Sequence, residues 1–168
     1  MKKIAIQDAN ILIDLLNVGM LDHCLKLNFH FTTTSIILNE LNELQTSLIR
    51  PHILTGLFSI IDITEDELGE IQIISLEDKR LSEQDWSAIY YAKKDGAILI
   101  TGDKRMLKIA ESRKIVFHGI LWLFDCLVED QILSKLEAST FLERLISINP
   151  RLPIKHCKER LEKWYTLK

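Results

Sequence analysis

The run from Ser82 to Asp103, SEQDWSAIYYAKKDGAILITGD, constrains the fold more than any other part of the sequence. Ser82 is a good helix N-cap, and Gly96 is a good stop after Lys93, Lys94 and Asp95. Between them Ala88, Ile89 and Ala92 share one face at helical spacing, which predicts a helix with that face against a core. Asp85 heads the same face, three residues before Ala88 and four before Ile89. A carboxylate there is costly unless something positive meets it. Ala97 to Thr101 then reads as a short, fully buried strand, with Gly102-Asp103 at its carboxyl end. Ligand sites of open α/β sheets lie at that end. One helix and one strand therefore deliver two carboxylates towards one place.

The rest of the chain alternates the same two kinds of element. Ile4-Ala5-Ile6 predicts a first central strand that ends in Gln7-Asp8, and Asn10 to Leu16 has helical spacing. A second helical stretch, Met20 to Leu27, follows a break at Gly19, and Asn28 to Thr33 alternates as a second strand. Thr34 or Ser35 caps a helix predicted from Ile36 to about Leu48, with Ile37, Leu41, Leu44 and Leu48 as its apolar stripe. Glu40 lies beside that stripe, and Arg50-Pro51 is expected to end the helix. Leu57 to Ile63 predicts a strand, and Thr64-Glu65-Asp66-Glu67 opens a helix to about Leu76 with a capping box. After Asp103 come a helix from Lys104 to Ser112, a buried strand at Ile115-Val116-Phe117 and an apolar helix from Gly119 to Val128. A capping box at Ser134 to Glu137 opens another helix, and Pro150 and Pro153 bracket a turn before a last one, Ile154 to Tyr165. This alternation predicts an α/β fold of three layers, a mostly parallel central sheet flanked by helices.

A chain of 168 residues suffices for one domain with a proper core. Its 21 Lys and Arg against 24 Asp and Glu leave a formal charge of −3, so any surface for phosphates must be local. Cys24, Cys126 and Cys157 lack metal-site spacing and are expected as reduced thiols in a cytoplasmic protein. No run is apolar enough for a signal peptide or a membrane span. The five histidines are scattered and expected to be structural, and adjacent His156 and Cys157 would point apart on a helix.

Asp8, Glu40, Asp85 and Asp103 stand where acidity is structurally inconvenient: two end core strands and two fall at core-facing helix positions. Each has a plain alternative. Asp8 and Asp103 could cap the helices that follow them, Asp85 could complete a box with Ser82, and Glu40 could tilt to solvent. As a set they would repel one another strongly in a dry pocket unless a divalent cation sat among them. Four oxygen donors suit Mg²⁺ or Mn²⁺ better than zinc, and such ions activate water for attack on phosphorus. No Ser/His/Asp or Cys/His motif and no phosphate-binding glycine loop competes.

Four motifs in order resemble the PIN-domain family, nucleases that include the toxin ribonucleases of bacterial and archaeal toxin–antitoxin pairs. They are Ile6-Gln7-Asp8-Ala9-Asn10-Ile11-Leu12-Ile13, Ile37-Leu38-Asn39-Glu40-Leu41, Leu81-Ser82-Glu83-Gln84-Asp85 and Ile100-Thr101-Gly102-Asp103. Ile115 to Gly119, leading into an apolar helix, is similar to one subgroup. The resemblance implies a Mg²⁺- or Mn²⁺-dependent ribonuclease in which Asp8, Glu40, Asp85 and Asp103 hold the ion and Asn10 and Thr101 act as polar helpers. It departs from the family at Ala9, where Thr or Ser is usual. Residues 1–133 are expected to form the nuclease domain and 134–168 a helical extension packed on it.

Lys104 and Arg105, at a helix start beside Asp103, are candidate RNA phosphate contacts. The apolar runs Ile120 to Phe124 and Leu161, Trp164 and Tyr165 are expected to meet a second copy or a protein antitoxin, or else to pack on their own domain. The alternatives to a nuclease are a PIN-fold module that binds RNA or protein without cutting, and a phosphatase of another α/β family. The second lacks a nucleophile motif around Asp8.

Overall fold

The computed structural model describes residues 2–166. Strands β1 (Lys3–Gln7), β2 (Phe29–Thr34), β3 (Phe58–Ile61), β4 (Ile98–Ile100) and β5 (Phe117–His118) form one sheet in the order β3-β2-β1-β4-β5. Every pairing between neighbours is parallel. Helices cover both faces: α1 (Ala9–Val18), α2 (Leu21–Cys24), α3 (Ser35–Leu38), α4 (Glu43–Leu54), α5 (Glu65–Ser75), α6 (Glu83–Lys94), α7 (Lys104–Ser112), α8 (Ile120–Glu129), α9 (Lys135–Ile148) and α10 (Ile154–Tyr165). The chain leaves β1 towards β2 on one side, while β4 pairs on the other. The crevice outside the carboxyl ends of β1 and β4 is thus the topological switch point, where such sheets bind ligands. Asp8 directly follows β1, and Asp103 lies just beyond β4.

Side chains of β1 alternate between two cores. Ala5 joins Leu12, Leu15, Phe124 and Leu142 on the face of α1, α8 and α9. Ile6 joins Trp86, Ile89 and Leu99 on the face of α6 and α7. The stripe Ala88, Ile89 and Ala92 is buried, as its spacing predicts. Gly96, at φ 60°, takes the left-handed conformation that turns the chain from α6 back into β4, and Ala97 N–H closes the turn on Ala92 O at 3.0 Å.

The last two helices belong to the first core. Leu142, Leu145 and Trp164 pack in it with Leu12 and Leu15, and the Phe124 and Trp164 rings stack at 6.2 Å. Asn149 Nδ2 donates to Asp14 Oδ2 at 2.7 Å, and the Arg160 guanidinium grips the Asp125 carboxylate in a fork at 2.8 and 2.6 Å. Ile120, Leu121, Leu123 and Phe124 are buried here, with Trp122 half-buried between Phe29 and His118. The chain's own domain therefore covers most of the apolar surface assigned above to a partner.

The helix predicted from Ile36 to Leu48 is two helices. Helix α3 stops at Leu38, a turn of residues 39–42 follows, and α4 restarts at Glu43. Asn42 makes the restart, with its side chain accepting from Gln45 N at 2.9 Å while Gln45 Oε1 accepts from Asn42 N at 3.0 Å. The break turns Leu44 and Leu48 outward, leaving Leu41 buried but Glu40 exposed in the turn rather than beside a core stripe. Nor does Pro51 end α4: it sits inside the helix, which runs on to Leu54 without the bond that a residue 51 N–H would make to Ser47 O. Replacing Asn42 by Ala should cost about 1 kcal/mol by urea unfolding, because it removes the side-chain oxygen that accepts from Gln45 N. A cost near zero would mean that α4 is held by packing alone.

Candidate active site

Asp8 is the centre of the site. Its side chain is 1 % exposed at the N-cap of α1, where Oδ1 accepts from Ile11 N at 2.8 Å. Asp8 N–H donates to Ile100 O at 3.1 Å, tying the end of β1 to the end of β4. Thr101, equally buried, donates its hydroxyl to Asp8 Oδ2 and accepts from Asp103 N at 3.1 Å. A continuous chain of donors thus runs from Asp103 through Thr101 to Asp8. Asp103 caps α7, with Oδ1 accepting from Arg105 N at 2.8 Å and Met106 N at 3.0 Å. Asp85 is half-buried in the first turn of α6, where Oδ2 accepts from Ser82 N at 3.0 Å. The capping roles open to Asp8, Asp85 and Asp103 are therefore all realised. Among the described residues, no hydrogen bond engages Asp103 Oδ2 or Asp85 Oδ1, and both remain available.

The same acids also act on one another. Burial pushes the Asp8 carboxyl up to about 6 against the bonds from Thr101 and Ile11, and the charges of Asp85 and Asp103 push it further in that direction. Burial also raises the Glu40 carboxyl, with the charge of Asp85 adding to it. Asp85 is thus felt by both Asp8 and Glu40. Among the described residues, no three acidic, histidine or cysteine side chains stand close enough to share one metal ion. The donor set is nonetheless all oxygen and self-repelling, which suits a hard divalent cation.

Asn10 is exposed in the first turn of α1, beside Asp8. Lys104 and Arg105 are exposed at the start of α7. Arg105 also acts on Asp78, whose carboxyl is held below its usual range chiefly by hydrogen bonds from Arg80. Lys104 has no such engagement among the described residues.

Sequence reasoning missed a second layer of hydroxyls under the acids. Thr34 Oγ1 and Ser87 Oγ lie 2.8 Å apart, joining the strand before the Glu40 turn to the helix that carries Asp85. Thr33 Oγ1 donates to Gln7 O at 2.8 Å, bracing β1 just below Asp8. A signal was present in the run of threonines closing β2 and in the lone Ser between Trp86 and Ala88. Gln7 itself is fully buried with both amide atoms unpartnered among the described residues.

An acidic crevice at the switch point of an all-parallel, helix-flanked sheet defines the class: an α/β fold of PIN type. A family model described as a PIN domain matches residues 4–166, and the chain belongs to that family, which is of nuclease type. Among solved structures, the chain is similar to the crystal structure of PAE2754 from Pyrobaculum aerophilum, with a TM-score of 0.54 and 18 % identity. That likeness covers 77 % of this chain and 98 % of the other, and shows the fold alone. No curated protein matches. No helix among the described residues is long and apolar enough to cross a membrane.

The Asp8 shift has a measurable sign. The unfolded carboxyl titrates near ~3.9, whereas the folded one titrates at about 6. Between these values the fold holds a proton that the unfolded chain has released, so stability falls as pH rises through the window. The loss is complete above about pH 6 and amounts to about 3 kcal/mol. Asp8→Asn keeps a capping oxygen and carries no charge. In metal-free buffer, urea unfolding of this variant should lose the fall between about pH 4 and 6 and give a stability above wild type at about pH 7. An unchanged fall would assign it to another group.

Proposed function

We propose that this protein is a Mg²⁺- or Mn²⁺-dependent endoribonuclease that hydrolyses RNA phosphodiester bonds, and that it is the toxin of a toxin–antitoxin pair acting in the cytoplasm. The observation that carries the nuclease reading is the buried Asp8 carboxylate, raised further by the charges of Asp85 and Asp103, at the switch point of a PIN-family chain. Burying one carboxylate against others costs stability unless positive charge joins them. Asp8, Glu40, Asp85 and Asp103 would hold the ion. When bound, Mg²⁺ or Mn²⁺ supplies charge for the scissile phosphate and lowers the pKa of water.

The chain's own groups do the positioning. Thr101 fixes the rotamer of Asp8 and is itself fixed by Asp103 N–H. The N-termini of α1, α6 and α7 each point their positive ends at an acid of the set, offsetting part of its charge. Lys104, exposed at the start of α7, would meet an RNA phosphate, and Asn10 is exposed in the first turn of α1. The toxin role is supported by the motif resemblance, and its partner would be a protein antitoxin.

One observation favours the binding module that does not cut: three of the four acids already serve as helix caps. Thermal unfolding and cleavage assays separate the two. In the nuclease, Mn²⁺ should raise the melting temperature of wild type, because it binds the folded state. Asp85→Asn and Asp103→Asn keep their capping oxygens. Each should be at least as stable without metal, lose most of the rise, and lose cleavage of single-stranded RNA. A wild type indifferent to metal, with variants as active or as inactive as itself, would leave only the capping role.

Lys104 and Arg105 should differ. Lys104→Ala should weaken RNA binding and reduce the slope of log affinity against log salt by about 0.7, the value for one phosphate on a single strand. Arg105→Ala should change it less, because the negative charge of Asp78 offsets part of that guanidinium's charge. Equal slopes in wild type and both variants would remove this helix start from the RNA path.

A further inference from the structure

A cleft opens at the end of the sheet remote from the acids. Lys3 begins β1, Asn28 and Phe29 lead into β2, and Cys126, Glu129 and Asp130 close α8. These six residues line an open cavity of about 420 Å³, a size usual for small-molecule sites. Lys3 begins the strand that Asp8 follows, so about 16 Å of β1 separates this cleft from the acidic crevice.

Its polar groups have two characters. The strands contribute the exposed donors of Lys3 and Asn28, and the helix contributes the exposed carboxylates of Glu129 and Asp130. One cavity holds all four, yet among the described residues Lys3, Glu129 and Asp130 form no ion pair. Both carboxylates stand at the carboxyl end of α8, where the helix dipole adds negative potential. Their charges act within the cleft: burial, with Glu129, Asp130 and Asp125 adding to it, pushes the Cys126 thiol up to about 11. Phe29 supplies an aromatic lining, half-buried and braced by the Trp122 ring at 5.3 Å. Acceptors on one side, donors on the other and an aromatic ring between them in chemistry suit a flat, polar-edged ligand. Guanine has that edge: a ring N–H and an exocyclic amino group side by side, with a carbonyl next to them. Adenine, cytosine and uracil each set an acceptor where guanine has one of its two adjacent donors, and carboxylates repel it.

We propose that the cleft between the start of the sheet and the end of α8 binds a guanine base. The Glu129 and Asp130 carboxylates accept from its ring N–H and amino group, Asn28 Nδ2 donates to its carbonyl, and the ring packs on Phe29. Lys3 meets the attached phosphate, with exposed Lys2 beside it. The base belongs either to a free guanine nucleotide or to single-stranded RNA, and only the second source rests on the nuclease reading.

Isothermal titration of the full chain with guanosine monophosphate, in metal-free buffer, tests it. Wild type should bind with a Kd below about 1 mM. Inosine monophosphate, which lacks only the exocyclic amino group, and adenosine monophosphate should bind about tenfold more weakly. Combining Glu129→Gln with Asp130→Asn should cost guanosine monophosphate about the same factor at an unchanged melting temperature. Lys3→Ala should weaken the nucleotide but not guanosine. Binding of fluorescent single-stranded RNA, again without metal, separates the sources. If the base comes from RNA, the combined variant should lose a preference for strands with guanine over strands without it. If it comes from the free nucleotide, that variant should bind both strands as wild type does. A protein that binds guanosine monophosphate and cuts no RNA would lose the nuclease reading and keep this site. Three results would overturn the proposal: no saturable binding of guanosine monophosphate up to about 5 mM, equal affinity for the guanosine, inosine and adenosine nucleotides, or a combined variant that binds guanosine monophosphate as wild type does.

Discussion

The site hangs on one hydrogen bond, from the Thr101 hydroxyl to Asp8. Thr101 ends the strand next to β1, and Asp8 ends β1 itself, so the bond is made only when those two parallel strands are in register. It is polarised by Asp103 N–H donating to the same hydroxyl, which makes the start of α7 part of the same unit. Without these donors a carboxylate this deeply buried would stay protonated or the strand end would open to water. The pocket thus exists because the central strands pair correctly. Shifting β4 by one residue would exchange the faces of Leu99 and Ile100 and take Thr101 away from Asp8.

The acids do two jobs that are usually separated. Asp8, Asp85 and Asp103 each satisfy backbone N–H groups of a helix start, and each contributes charge to one crevice. Both jobs follow from geometry. Helices that leave the carboxyl end of a parallel sheet begin there, and a helix start draws an anion. Three helix starts around one crevice therefore tolerate three carboxylates better than a crevice lined by apolar side chains would.

Much of this was legible in the sequence, and the exceptions have physical causes. Ser82, Asp85 and the stripe Ala88, Ile89 and Ala92 are local signals, and the structure keeps them unchanged. The strand ends at Asp8 and Asp103 are legible because each combines a buried apolar run with an abrupt acid. Glu40 was misplaced because Ile37, Leu41, Leu44 and Leu48 keep helical spacing straight through a break. Periodicity reports which residues could share a face, but not whether the backbone is continuous or which face is covered. The Asn42–Gln45 box was the signal that a new helix begins, and the apolar stripe concealed it. Pro51 misled in the opposite direction: α4 runs through it to Leu54. The partners of Thr34 and Thr101 join segments 53 and 93 residues apart, beyond the reach of any local pattern.

The placement of α9 and α10 bears on when the molecule can become active. The strand that carries Asp8 is the first made and sits in the middle of the sheet, yet its neighbour β4 comes late in the chain. The core under α1 is completed by Leu142 and Leu145 of α9 and Trp164 of α10. A growing chain on the ribosome therefore lacks part of the cover of Leu12 and Leu15 until α9 and α10 have emerged. Until then the helix whose start holds Asp8 packs on only part of its final core. A chain built in this order completes the packing behind its acidic crevice late.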